Sequence, residues 1–196
     1  MRSISIEQVA ALRAKTGAGP MDCKQALIEA NGSEAEAIEI LKKKGMARAI
    51  KKMGREAKAG VIKSYIHAGD KIGVLLELNC ETDFVAHTKE FQRLALDICL
   101  QIAATNPQYV SKENAPKEVL DKEAEIARAQ CAGKSDPVVE KIVQGKLDKW
   151  ANEFCLLDQA FFKDNTVTIK DLIASKIASM GENIVVRRFV RYQLGE

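Results

Sequence analysis

The sequence lacks a long apolar run, a large net charge and a leader segment. No stretch of about 18 apolar residues occurs in its 196 residues, which argues against a membrane-spanning helix. The formal net charge of +3 is too small to indicate nucleic-acid binding by itself. The first seven residues contain neither the apolar segment of a secretory signal nor an Arg-rich leader. We therefore expect a cytoplasmic protein, or an organelle protein already freed of its leader.

Paired cysteines are also missing. The five cysteines are an odd number, and no two of them lie within four residues of each other. This spacing fits neither a disulfide framework nor a Cys-x-x-Cys metal site, so we expect reduced, buried thiols. The members are Cys23, Cys80, Cys99, Cys131 and Cys155.

The sequence carries no complete catalytic or nucleotide-binding motif. Glu77, Glu81 and Asp83 surround Cys80 with negative charge, which disfavours the thiolate that a nucleophile needs. No histidine is placed to complete a metal site with these acids. Gly133-Lys-Ser135 resembles the end of a phosphate-binding loop, but Arg128 stands where that motif requires its first glycine. We expect no enzyme activity, no cofactor and no bound metal.

The first 45 residues predict a bundle of three short helices. Ser5 with Gln8, and Ser33 with Glu36, match the capping box that begins a helix. Pro20 suits the first position of the second helix. Helices of about ten residues are marginal alone, so we expect the three to pack together as a domain over residues 1–45.

A basic segment follows the predicted end of the bundle at Gly45. Between residues 42 and 58 lie eight basic side chains and the single acid Glu56. The segment could bind RNA, but no aromatic residue is interleaved to stack on bases, which favours a solvated linker over residues 46–59. The basic residues are Lys42, Lys43, Lys44, Arg48, Lys51, Lys52, Arg55 and Lys58.

Residues 60–196 predict an α+β domain. Two apolar runs, residues 61–67 and 72–79, read as a β-hairpin, and a helix ends near residue 106. A charged helical hairpin is expected at about 118–153, with its turn at Gly133 to Pro137. A further helix lies within residues 167–180, and the chain ends on a strand at residues 184–194.

The stretch from Glu77 to Ala86 joins the second strand of that hairpin to a helix. The polar turn Thr82-Asp83-Phe84-Val85 carries a large aromatic side chain at this junction. Phe84 either packs into its own core or stands out as an anchor for a partner. Val85 is ambiguous, because it could seat the turn while Phe84 points outward.

This stretch closely resembles the signature of translation elongation factor Ts, the nucleotide exchange factor for elongation factor Tu. The run from Leu12 to Leu27 resembles that family's N-terminal signature, and residues 181–188 and the order of elements match as well. The resemblance covers essentially the whole chain. It implies an α+β fold with an N-terminal three-helix, ubiquitin-associated-like (UBA-like) bundle, then a core with a small antiparallel sheet and a projecting helical hairpin.

The resemblance also implies a site and a partner. The expected partner is elongation factor Tu, in its GDP-bound and nucleotide-free forms. Asp83 and Phe84, within the motif Thr82–Val85, would enter its G domain beside the bound magnesium ion. The bundle would dock on the same GTPase through residues that include Leu12 and Met21. Family members commonly have methionine where this chain has Pro20, which leaves Met21 as the clearer apolar contact.

Other interpretations stay open at this stage. A passive interaction module with a UBA-like helical binder explains the first 45 residues equally well, and an RNA-binding protein would depend on the basic segment.

The final strand has apolar residues on one face and a mixed second face, so both need cover. Because longer family members carry a duplicated core, we expect a homodimer. The alternative is that the charged helical hairpin folds back and covers the second face of the strand. The apolar face consists of Ile184, Val186, Val190, Tyr192 and Leu194.

Overall fold

The computed structural model describes residues 4–131 and 135–196. Gly133 and Lys134, which belong to the predicted hairpin turn and to the incomplete phosphate-binding motif, lie outside the described residues. Across the described residues, no helix combines the length and apolar content needed to cross a bilayer.

The three predicted N-terminal helices are α1 (Ile6–Thr16), α2 (Pro20–Glu29) and α3 (Glu34–Lys52). Ser5 and Gln8 form the predicted capping box, with both reciprocal bonds present. The Ser33 hydroxyl accepts a hydrogen bond from the Glu36 amide at 3.5 Å, which caps α3. The helices bury one small-residue core, formed by Leu12, Cys23, Ala26, Leu27, Ala30, Ala37 and Leu41.

The predicted end of the third helix at Gly45 is wrong. Helix α3 continues through Gly45 to Lys52 and so contains six of the eight basic residues of the basic segment. A glycine inside a helix costs only about 1 kcal/mol relative to alanine, which neighbouring helical residues can offset. Here a Cβ on Gly45 would lie 3.4 Å from the Cβ of Ala178, so the glycine also permits close packing.

A three-stranded sheet confirms the predicted β-hairpin and final strand. Strands β1 (Ala59–Ile66) and β2 (Ile72–Cys80) are joined by a short turn, in which the His67 amide donates to the Ile72 carbonyl at 2.9 Å. The final strand, β5 (Ile184–Gln193), pairs with the other side of β2. The Leu194 amide donates to the Lys71 carbonyl at 2.8 Å, so β5 runs antiparallel to β2.

In the part of the chain that the structure describes, five α-helices follow β2: α4 (Asp83–Ala86), α5 (Lys89–Thr105), α6 (Lys117–Ala129), α7 (Asp136–Phe154) and α8 (Ile169–Met180). Helices α6 and α7 form the predicted hairpin, packed through Ala124, Ala127 and Val143. Strands β3 (Ala160–Phe161) and β4 (Asp164–Thr168) form an additional antiparallel pair. The sequence did not predict this pair, because both strands are short and β4 begins with polar residues that do not alternate.

The chain divides into two compact units that are each discontinuous in sequence. The first comprises Met1–Gly60, Asn79–Thr88 and Asp171–Val185, and the second comprises Val61–Leu78, Lys89–Lys170 and Val186–Glu196. The first unit therefore contains the three N-terminal helices, the turn Thr82–Val85 and the loop before β5. The predicted domain boundaries at residues 45 and 59 stay a prediction.

Candidate functional site

The turn Thr82–Val85 begins directly after strand β2. Thr82 has extended backbone angles (φ −133°, ψ 154°) and is the N-cap of α4, where its hydroxyl accepts from the Val85 amide at 3.5 Å. Threonine suits this position because its side-chain oxygen satisfies an amide that has no partner inside the helix. The strand therefore changes into a single helical turn at Thr82.

The structure resolves which side chain of this turn points outward. Phe84 is 90% exposed, whereas Val85 is half-buried and Ala86 is fully buried. Val85 and Ala86 thus seat the turn on its own unit, and Phe84 stands out from it. A large aromatic side chain in this position leaves most of its apolar area in contact with water, which is unfavourable unless a partner covers it.

Asp83 lies beside Phe84 and is also exposed. Within the described residues, its carboxylate makes no hydrogen bond or ion pair and so is available to a partner. Its carbonyl accepts from the His87 amide at 3.1 Å and lies 2.7 Å from the His87 Nδ1. Because a carbonyl can only accept, the Nδ1 carries a proton. These two bonds close the turn from its C-terminal side.

Cys80 is the last residue of β2 and lies beside the turn. Its Sγ donates to the Thr82 carbonyl at 3.1 Å, and the residue is fully buried. Burial raises the pKa of the Cys80 thiol, and the carboxylates of Glu182 and Asp83 raise it further. Of the three acids predicted to act on this thiol, only Asp83 raises its pKa, and the larger contributions come from burial and from Glu182. Within residues 4–131 and 135–196, no group of three potential ligands is placed to hold a metal ion.

Glu182 is the main residue of this site that the sequence analysis did not single out. One oxygen of its carboxylate accepts from the amides of Glu81 at 3.1 Å and Thr82 at 3.0 Å. The other accepts from the Thr82 hydroxyl at 2.7 Å. The family-like run at residues 181–188 was the available signal, but nothing in its pattern shows that it meets a turn 100 positions away.

The neighbouring residues extend this network to the end of α3. The Glu81 carboxylate accepts from the Asn183 amide at 2.7 Å and lies 3.5 Å from the Arg55 guanidinium. The Asn183 side chain, which is 2% exposed, donates to the carbonyls of Arg55 at 2.7 Å and Met53 at 3.3 Å. Lys52 donates to the carbonyl of Gly181. The loop 181–183 therefore bonds both to the turn and to the chain that leaves α3.

The two residues predicted for the second contact differ in position. Met21 is 74% exposed in the first turn of α2 and is accessible to a partner. Leu12 is fully buried in the bundle core, so its side chain is not accessible, and this corrects its expected role. The reason is its place on α1, which turns Leu12 toward Cys23 and Leu27 in one apolar cluster.

The basic segment is partly neutralised by the bundle itself. Arg48 makes a two-pronged ion pair with Asp22, with both N–O distances at 2.7 Å. The Arg48 guanidinium holds the pKa of the Asp22 carboxyl below its usual value. Lys44 pairs with Glu29 at 2.7 Å. Several of the predicted basic side chains thus stabilise the packing of α3 on α2 and do not form a uniform basic surface.

Comparisons with known proteins agree on one family. The sequence model of the family described as Elongation factor TS matches residues 5–196. The chain is 57% identical over 195 residues to Elongation factor Ts of Thermodesulfovibrio yellowstonii, with 99% of this chain and 98% of the relative covered. It is 55% identical to the protein of that name from Caldanaerobacter subterraneus subsp. tengcongensis, with 98% of each covered. The corresponding relative from Fervidobacterium nodosum is 56% identical, with 98% of this chain and 99% of the relative covered.

Proposed function

The chain belongs to the elongation factor Ts family of translation elongation factors, and we propose that it is a guanine nucleotide exchange factor for elongation factor Tu. The observation that carries this proposal is the 90% exposure of Phe84 on an ordered turn. The carboxylate of Asp83 beside it is exposed and has no partner among the described residues, which supports the same conclusion. In this proposal the turn Thr82–Val85 enters the G domain of the GTPase near its magnesium site.

Phe84 acts as an apolar wedge. Burying such a side chain contributes about 1.5–3 kcal/mol, which becomes available only in the state of the partner that accepts the ring. Asp83 offers a carboxylate that accepts hydrogen bonds from groups around the magnesium site as they lose their ground-state partners. The chain makes and breaks no covalent bond, needs no cofactor and is not an enzyme in that sense.

Exchange follows from the coupling between the two ligands of the GTPase. If the chain weakens GDP binding by a given factor, GDP weakens the binding of the chain by the same factor. The chain therefore binds the GDP form and drives it toward the nucleotide-free form. GTP then rebinds and displaces the chain, which allows one molecule to act repeatedly.

The N-terminal bundle provides a second contact with the same partner. Met21, at 74% exposure, is the side chain that we assign to this contact. Once the bundle is bound, insertion of the turn becomes an intramolecular step with a higher effective concentration. The bundle raises affinity in this account, whereas the turn changes the state of the GTPase.

The outer face of the three-stranded sheet supports a homodimer. A Cβ on Gly73 would meet the Ile66 Cδ1 at 3.2 Å, so Ile66 shares a face with Gly73 and, by strand alternation, with Leu75. The Arg188–Glu77 ion pair, at 2.7 Å, places Arg188 on this same face, and Val190 and Tyr192 follow it by strand alternation. Its exposed apolar members are Ile62 (60%), Ile66 (60%), Leu75 (47%), Val190 (37%) and Tyr192 (73%).

This outer sheet face needs a partner to cover it. The sequence predicted one apolar face on the final strand. Its first two residues, Ile184 and Val186, are buried (3% and 6% exposed), whereas Tyr192 and Leu194 near its end are 73% and 76% exposed. Tyr192 and Leu194 therefore leave apolar area for a partner to cover. The alternative, that the helical hairpin covers the second face of the strand, stays a prediction. A second copy related by a two-fold axis would bury the same face on both chains. We propose that the protein acts in the cytoplasm as this dimer, with no direct contact to nucleic acid.

The proposal is tested by the release of a fluorescent GDP analogue from the cognate elongation factor Tu. Substoichiometric amounts of the chain should accelerate release with multiple turnovers. A passive interaction module would bind the GTPase without changing the release rate, and that result would refute the proposal. The RNA-binding alternative is tested by measuring RNA affinity over a series of salt concentrations. Only an RNA-binding protein should show an affinity for RNA that falls steeply as the salt concentration rises.

A further inference from the structure

The turn that carries Phe84 needs support from outside its own sequence. Helix α4 has only four residues, and helices this short do not form on their own in water. Phe84 is 90% exposed and contributes no packing that would hold the turn in place. Packing of Val85 and Ala86 seats the turn on its unit, and the residues that bond to the turn from elsewhere in the sequence restrict it further.

The Glu182 carboxylate makes the largest set of these bonds. It accepts from two successive amides, those of Glu81 and Thr82, and from the Thr82 hydroxyl, with distances between 2.7 and 3.1 Å. Hydrogen bonds to an ionised acceptor are shorter and stronger than those between neutral groups. All three donors lie at the point where β2 becomes α4, so the bonds set the direction in which the turn leaves the sheet.

The arrangement is reciprocal, which restricts the loop as well as the turn. The Glu81 carboxylate accepts from the Asn183 amide at 2.7 Å, while Glu182 accepts from the Glu81 amide. The buried Asn183 side chain then anchors the loop to the carbonyls of Met53 and Arg55, beyond the end of α3. The turn is thus connected through two residues to the last of the three N-terminal helices.

We propose that Glu182 is a positioning residue for nucleotide exchange: it holds the turn Thr82–Val85 against the loop that is anchored to the end of α3. This inference depends on the proposed function only for its effect on exchange, since the order of the turn can be measured separately. Glu182 acts through Thr82 and does not itself contact the nucleotide or the metal. The bundle and the turn then present their contacts to the partner in a fixed relation.

The proposal predicts which kinetic constant of GDP release changes when the Glu182 side chain is removed. A turn that is mobile in the free chain must be ordered on binding, which weakens association. Once inserted, Phe84 and Asp83 are unchanged and act as before. Loss of Glu182 should therefore raise the half-saturating concentration of the chain and leave the maximal rate of GDP release nearly unaltered.

Three full-length variants separate this role from others. Glu182→Ala removes every acceptor. Glu182→Gln removes the charge but keeps one oxygen for the two amides, and its NH₂ group can donate to the Thr82 hydroxyl, which also accepts. Glu125→Ala is the matched control, because it removes an exposed carboxylate from helix α6 in the second unit.

We expect Glu182→Ala to speed hydrogen exchange at the amides of Glu81 and Thr82 by about tenfold, because it removes their charged acceptor. The half-saturating concentration should rise about tenfold, the maximal rate should change less than about twofold, and the melting temperature should stay near that of the parent. Glu182→Gln should stay within about threefold of the parent in amide exchange and in half-saturating concentration. Glu125→Ala should match the parent in both quantities.

The proposal is overturned if amide exchange stays slow in Glu182→Ala, or if its loss appears only in the maximal rate. It is equally overturned if Glu182→Gln is as impaired as Glu182→Ala, since the charge itself would then act on the partner. If Glu182→Ala melts early, Thr82→Val decides. It removes both the hydroxyl bond to Glu182 and the cap of α4, so the readout is the Glu81 amide, which Glu182 binds and the cap does not; its exchange should rise, and unchanged exchange there would overturn the proposal. If the parent chain fails to accelerate GDP release, the proposed function fails, while amide exchange still decides the role of Glu182.

Discussion

Truncation of Phe84 to alanine is the most direct test of the wedge. The side chain is 90% exposed, so its removal leaves no cavity in the first unit. Alanine also favours the helical turn more than phenylalanine does. We therefore expect the free energy of unfolding to change by less than about 0.5 kcal/mol, as for other exposed positions.

The expected effect on exchange is much larger. If the ring is buried only in the complex that releases GDP, its loss removes about 1.5–3 kcal/mol of stabilisation from that state. Since about 1.4 kcal/mol corresponds to tenfold, the release rate should fall by about 10- to 150-fold. In contrast to Glu182→Ala, this loss should appear in the maximal rate.

The assay is stopped-flow release of a fluorescent GDP analogue from elongation factor Tu over a series of chain concentrations. Phe162→Ala is the matched control, because Phe162 is another partly exposed aromatic, at 42%, that packs on Phe161 in the second unit. It should leave release unchanged. Unaltered release kinetics in a folded Phe84→Ala protein would refute the wedge.

Three further predictions test the other surfaces. Met21→Asp should raise the half-saturating concentration in the same assay about tenfold, because it places an unpaired charge in an apolar contact. Met21→Leu should leave that concentration unchanged, and equal values for the two variants would refute the contact. Ile66→Lys should convert a species of twice 21.6 kDa in sedimentation equilibrium into one of 21.6 kDa; a parent mass of 21.6 kDa throughout would exclude the dimer. Because Arg48 lowers the pKa of Asp22, the pair should stabilise the fold above the unfolded pKa of about 3.9 and lose this contribution as the pH falls through the lower folded pKa. Asp22→Asn should therefore cost about 0.5–1 kcal/mol in denaturant unfolding at pH 7 and little in acid; an equal cost at both pH values would contradict this assignment.

The elements set by local chemistry could be predicted from the sequence. Ser5 and Pro20 mark helix starts through bonds or steric preferences that span a few residues, and both positions are confirmed. The two apolar runs that form strands β1 and β2 likewise required only neighbouring residues. At Gly45 the local signal failed, because one glycine weakens a helix by only about 1 kcal/mol and α3 continues through it to Lys52.

Identifying the residues of the candidate site required both the sequence and the folded structure. The sequence by itself identified Thr82–Val85 as an unusual turn, but it could not decide whether Phe84 or Val85 faced the core, since both are apolar and adjacent. It also could not separate Leu12 from Met21, because burial depends on how α1 and α2 pack and not on residue type alone. Only the folded chain brings Glu182 to Thr82, 100 positions earlier, since a carboxylate finds its hydrogen-bond donors in space and leaves no periodic pattern in the sequence.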